Sequence, residues 1–173
     1  MTDEDPFESY VELVADRLSG RGFAELPESP PDYEGSALHN REFSLWPPGV
    51  VDTVVAVCRF GDPDPRTVAE FSSRVFAFAG DHASRLPRGL GNSLVVYPVA
   101  ACSDPSGEVK EWVTGHRPTH RGAHEFPVVA DLDAETVYYY TATPVWGRRR
   151  YAAFRKAASA VFDPSADPDL GGL

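Results

Sequence analysis

Eleven consecutive residues, Val50-Val51-Asp52-Thr53-Val54-Val55-Ala56-Val57-Cys58-Arg59-Phe60, constrain this chain more than any other stretch. An unbroken run of β-branched and small apolar side chains suits a strand covered on both faces, because a strand open to water on one side alternates apolar with polar residues. Such a strand needs helices above and below it, so the run predicts the centre of a layered α/β domain. Asp52 near its start and Arg59 near its end are the charged residues of the run.

The flanking sequence fits that architecture. Asp5-Pro6-Phe7-Glu8 is a helix start, with a capping carboxylate and proline at the first helical position. Phe7, Tyr10, Val11, Val14 and Leu18 then recur at helical spacing, which predicts a helix over 6–19. Phe23 to Leu26 predicts a short first strand, Arg41 to Trp46 a second, and Pro47-Pro48-Gly49 a turn into the valine-rich run. Asp62-Pro63-Asp64-Pro65 caps a second helix carrying Val68, Phe71, Val75 and Phe78 inward. Ser93 to Ala101 predicts another buried strand, in which Pro98 lacks a ladder donor and should bulge or lie beside an unpaired stretch. A short helix through Trp112, a hairpin of 126–130 with 137–141, and a final helix with Tyr151, Phe154, Ala158 and Val161 inward complete the chain. The expectation is a central mixed sheet with helices on both faces: an αβββαβ core plus a C-terminal hairpin and helix. Residues 1–162 form one domain in this reading, and 163–173, made of Asp, Pro, Gly, Ser, Ala and Leu, a disordered tail.

Charge narrows the surroundings. With 26 acidic against 16 basic residues the formal charge is -10, and only Lys110 and Lys156 are lysines. That balance suits a salt-loaded, halophilic cytoplasm, where a Debye length of about 3 Å removes self-repulsion. It disfavours nucleic acid as a partner without excluding it, since a basic footprint is the usual sign of such binding. The sequence has neither a basic region leading an apolar one at its start nor an apolar run of about 18 residues, so a cytoplasmic location without membrane insertion is expected. Cys58 and Cys102 sit in apolar runs and are expected to be buried and reduced.

The order helix, three strands, helix, strand over residues 6–101 resembles the restriction-endonuclease-like, PD-(D/E)XK, fold. That resemblance implies a magnesium site built from an acid on the second strand side and an acid and lysine on the third. Glu42 and Asp52 stand where the acids would, but the position two after Asp52 is Val54, and the first lysine is Lys110. Arg59 cannot serve as the base, because a guanidinium does not deprotonate in proteins. The site therefore reads as degenerate, with magnesium required only if cleavage by Glu42 and Asp52 persists. The alternative for Asp52 is a structural carboxylate paired with Arg41 or Arg59.

Other residues offer contacts. His116, His120 and His124 recur every four positions, yet Gly115, Pro118 and Gly122 oppose a continuous helix. A loop gathering His120 and His124 with Glu125 on a metal stands against solvated loop histidines. Tyr138, Tyr140, Trp146, Arg148, Arg149, Arg150 and Arg59 mix aromatic rings with guanidinium groups, as single-strand binding surfaces do. Strand alternation should turn Tyr139 away from Tyr138 and Tyr140. Arginines opening a helix oppose its dipole, which points to a contact role. The expected function is a non-catalytic domain acting through protein or nucleic-acid contacts. The alternatives are a magnesium-dependent nuclease and a structural subunit burying the 138–146 hairpin in an oligomer.

Overall fold

The computed structural model describes residues 5–45, 48–89, 91–142, 144 and 147–167. Among them lie four helices and a seven-stranded mixed sheet with helices on both of its faces. Helix α1 (Pro6–Ser19) begins where the Asp5 carboxylate accepts the Phe7 N–H at 3.0 Å. Strand β1 (Ala24–Glu25) leads to a long antiparallel pair, β2 (Gly35–Leu45) and β3 (Pro48–Arg59). Helix α2 (Pro65–His82), capped by the Asp64 side chain, returns the chain to β4 (Ser93–Cys102), which is parallel to β3. Then come α3 (Gly107–Gly115), β5 (Ala123–Glu125), β6 (Val128–Asp131), β7 (Thr136–Tyr139) and α4 (Arg148–Phe162).

The strand order β1-β2-β3-β4-β6-β7, with β5 also on β4, puts the valine-rich run in the middle of the sheet. Val55 and Val57 face α1 and α4, while Val54, Ala56 and Cys58 face α2 and α3. The period of two therefore feeds two separate cores from one strand.

Strand β2 begins at Gly35 rather than Arg41. Gly35 to Asn40 contains no β-branched residue, and its strand state comes from pairing with β3, from Gly35 opposite Cys58 onwards. At Gly35 a Cβ would lie 2.0 Å from the Val57 carbonyl oxygen, so only glycine permits that approach. The β3–β4 crossover ends in a tight reversal before β4, where Gly91 has φ +96 and a Cβ would meet the Pro48 carbonyl at 2.2 Å.

Pro98 behaves as its missing N–H requires. The even residues of β4 direct their backbone toward β5 and β6, as the Val96 carbonyl accepting Phe126 N–H at 2.8 Å shows. Between those strands the pairing lapses at Phe126-Pro127, beside Pro98. Two prolines share one gap, so neither leaves an unmatched ladder partner.

Residues 163–167, at the start of the expected tail, form a turn against α1, and 168–173 lie outside the described residues. Arg17 donates to the carbonyls of Asp163 at 2.7 Å and Ala166 at 2.9 Å, and the Tyr10 hydroxyl donates to the Phe162 carbonyl at 2.9 Å.

Candidate functional site

Asp52 is 2% exposed and fully engaged. One carboxylate oxygen meets Arg41 Nε at 2.8 Å and His39 Nε2 at 2.9 Å, and the other accepts the Ser84 N–H at 2.7 Å. Burial raises its pKa, but the Ser84 N–H, His39 and Arg41 together outweigh that and hold the carboxyl below the usual range. Arg41, opposite Asp52 in the β2–β3 register, is thus its partner; Arg59 is not. With its oxygens taken by three protein donors, Asp52 joins β2, β3 and the end of α2.

Glu42 does not meet it. In an antiparallel pair, directly opposed residues share a face, and Glu42 lies opposite Val51 while Arg41 lies opposite Asp52. Asp52 therefore faces the α2 side and Glu42 the α1/α4 side, where it lines a cavity with Thr53 and Val55. The expected pair of metal-sharing acids is separated by the sheet itself. No group of three or more His, Cys, Asp or Glu side chains suited to a metal occurs among the described residues.

The histidines are also rearranged. His120 Nε2 meets Glu125 at 2.6 Å, Ser72 donates to the other oxygen of that buried carboxylate, and the His120 ring stacks on Phe76 at 3.8 Å. Because Ser72 bonds the carboxylate rather than the imidazole, the trio has no activated nucleophile. His124 packs near Phe154 on the opposite face from Glu125, so these residues do not converge as ligands. His120 remains an exposed loop histidine tied to Glu125, whereas His124 is half-buried on β5. Burial, with the Arg150 and His120 charges added, pushes His124 down to about 4. His116 stacks on Trp112 at 4.3 Å, and burial lowers it.

Arg59 is not a free contact: Asp5 lies at 2.6 Å, Glu34 at 3.2 Å and Glu8 at 3.6 Å from its guanidinium, which covers the Phe7 ring. It ties α1 to the end of β3. Tyr138 packs on the α3 side with the Lys110 ammonium 5.1 Å from its ring centre, whereas Tyr139 and Tyr140 both pack on the α4 side. Tyr140 breaks the expected alternation because β7 ends at Tyr139. Trp146 lies outside the described residues. The large exposed apolar side chains among them are Phe43, Leu45 and Leu86, away from this hairpin.

Arg148, Arg149 and Arg150 are exposed in the first turn of α4, whose cap Gly147 provides no side-chain bond. Arg150 meets the loop after α3 across a cleft of about 240 Å³ lined by Arg117, His120, His124, Gly147 and Tyr151. Arg117 lies 5.5 Å from the Tyr151 ring centre. Among the described residues, no carboxylate reaches ion-pairing distance of Arg117, Arg121, Arg148, Arg149 or Arg150. Sequence reading found the α4 arginines but missed Arg117 and Arg121. Their signal was the absence of any acid between Trp112 and His124 and again between Thr136 and Phe162.

Both cysteines are free and buried, with burial pushing Cys58 to about 12 and Cys102 to about 11. Neither is a thiolate nucleophile at neutral pH. No helix among the described residues is long and apolar enough to cross a membrane. Compared with known protein families, with curated proteins and with solved structures, the chain finds no match.

Proposed function

We propose that this protein is a non-catalytic contact domain that holds the phosphate backbone of single-stranded nucleic acid on the arginine face between the 116–124 loop and α4. One observation carries the reading. In a chain of charge -10, five guanidinium groups without carboxylate partners among the described residues belong to two acid-free segments that meet at one cleft. Arginine forks match phosphate oxygens in pairs, and the uncapped N–H groups that open α4 favour the same charge. A half-buried His124 held neutral leaves the cleft without an imidazolium that would need its own counter-ion.

The frame remains, as a proposal, a degenerate nuclease-like fold working in a halophilic cytoplasm. The αβββαβ order supports it, and the separation of Glu42 from Asp52 supports degeneracy. An acidic protein surface as the partner is the competing outcome.

Fluorescence anisotropy with labelled single-stranded DNA across a KCl series decides between them. Binding is expected to weaken with salt, and Arg148→Ser/Arg149→Ser/Arg150→Ser to weaken it at least tenfold with a shallower slope, by about 0.7 for each phosphate no longer held. Arg66→Ser, on the exposed face of α2, should change nothing. Absence of salt-dependent binding, or an unaffected triple variant, overturns the reading.

A further inference from the structure

The end of the β2–β3 hairpin turns its apolar residues outward. Phe43 is 78% exposed and Leu45 92%, and residues two apart on a strand share a face. Phe43 lies opposite Val50, which lines a small hollow with Leu86, itself 49% exposed. The large exposed apolar side chains among the described residues thus belong to one end of the sheet, on its α2 side.

The same stretch has an open backbone. The Ala37 carbonyl accepts the Leu26 N–H at 2.8 Å, so the odd residues of β2 turn their N–H and C=O groups away from β3. The Val50 N–H, given to the Asn92 side chain rather than to β2, fits that phase. Strand β1 pairs with β2 no further than His39, and among the described residues no backbone group bonds those of Arg41, Phe43 or Leu45. Unpaired ladder groups are a template for another strand, and natural edges are usually blunted by charge. Here Arg41 is committed to Asp52, and Glu42 accepts from Asn40 at 3.0 Å.

The register selects the occupant. The open edge from Arg41 to Leu45 is centred on Phe43. Antiparallel pairing about a two-fold axis there sets Phe43 on the partner's Phe43, Arg41 on the partner's Leu45 and Glu42 on the partner's Ser44, with no like charges opposed. Each copy's Arg41, Phe43 and Leu45 then gain the ladder partners they lack. An axis at Glu42 would oppose two carboxylates and run the partner's Leu45 against His39, where β1 already sits. We propose that this edge joins two copies of the chain into a dimer with one continuous sheet. The contact is small and each copy carries a charge of -10, so association strengthens as salt screens the repulsion. It uses the β2–β3 hairpin rather than the hairpin at Tyr138, and it is independent of the arginine face, whose binding weakens with salt.

The test is sedimentation velocity across protein concentration and KCl. A monomer–dimer equilibrium is expected, with a Kd of about 100 μM or tighter in about 2 M KCl and several-fold weaker in dilute buffer. Phe43→Lys sets two ammonium groups on the axis and should weaken the dimer about tenfold or more, while the urea midpoint stays that of the parent. Phe43→Cys reads the register directly: opposed Cα atoms of a hydrogen-bonded pair lie about 5.5 Å apart, within disulfide range, and the native Cys58 and Cys102 are buried. Mild oxidation should link Phe43→Cys into a dimer, whereas Ser44→Cys, off the axis, should link far more slowly. Should Phe43→Lys not fold, the cysteine pair decides. A chain that stays monomeric at about 300 μM in about 2 M KCl, a dimer indifferent to a folded Phe43→Lys, or equal linking through both cysteines overturns the proposal.

Discussion

The two faces of the sheet treat polar groups differently. The buried carboxylates among the described residues, Asp52, Glu125 and Asp131, together with the buried Ser72, lie on the face covered by α2 and α3, while the buried phenols Tyr10, Tyr97 and Tyr151 lie on the other. Each carboxylate there is met: Asp52 by Arg41, His39 and Ser84, Glu125 by Ser72 and His120, and Asp131 by the Ala134 N–H at 3.0 Å and Lys110 at 3.4 Å. The face under α1 and α4 is richer in aromatic rings and holds a cavity lined by Tyr97 and Phe162. A buried ion must be answered from within the protein, whereas a neutral hydroxyl at the edge of a cavity can be met by water. The comparison teaches that Asp52, which looked catalytic in the sequence, is a joint of the fold, whereas Glu42 lies on the other face beside a cavity.

The sharpest way to break this contrast is Asp52→Ala. It leaves Arg41, His39 and the Ser84 N–H facing a void, and should cost about 4 kcal/mol in urea unfolding, against under about 0.5 kcal/mol for Glu70→Ala in an exposed helical pair with Arg66. If the two cost the same, the carboxylate is not a joint. Next, packing density is compared by volume. Phe71→Ala on the α2 side should cost about 3 to 4 kcal/mol, while Ala157→Phe, adding a ring over the cavity, should stay within about 1 kcal/mol of the parent. A large penalty for the second would mean that the cavity is not open to a side chain.

A further effect is a slope in pH at the arginine cleft. His124 has a folded pKa of about 4, below the ordinary histidine value of 6.5. The unfolded chain therefore binds its proton first on acidification. Its contribution to stability is complete above about pH 6.5, falls as pH drops toward 4, and is constant below that. His124→Gln should flatten unfolding midpoints across that window. Asp52 acts lower: its stabilisation is present above the unfolded carboxyl value of about 3.9 and is lost as pH falls through its depressed folded pKa. Retention of the full slope in His124→Gln would assign it to another group.

The layered fold was legible because the valine-rich run, the proline-capped helices and the final amphipathic helix each carry their own periodicity. The sequence left Arg41 and Arg59 as alternative partners of Asp52, and the β2–β3 register selects Arg41. His39 was not, because its strand segment holds no β-branched residue and takes its state from β3. The separation of Glu42 from Asp52 needs the register of the β2–β3 pair, which a composition-based strand assignment does not supply. The Ser72–Glu125–His120 trio joins α2, β5 and a loop, and no spacing announces it. Tyr97 was visible only as one aromatic residue in an otherwise aliphatic strand, and its meaning depends on what α4 leaves open above it.

The clasp between α1 and the end of α4 has a consequence for how the chain is made. The Tyr10–Phe162 bond spans 152 positions, and Arg17 reaches across 146 to Asp163. During vectorial synthesis the α2/α3 core can assemble once Val129 has emerged, while the aromatic side of the sheet stays partly uncovered until α4 follows. Closure of so long a loop is entropically slow. Until α4 is made, α1 alone is available to cover the aromatic side of the sheet, so that side depends on the last helix for its roof.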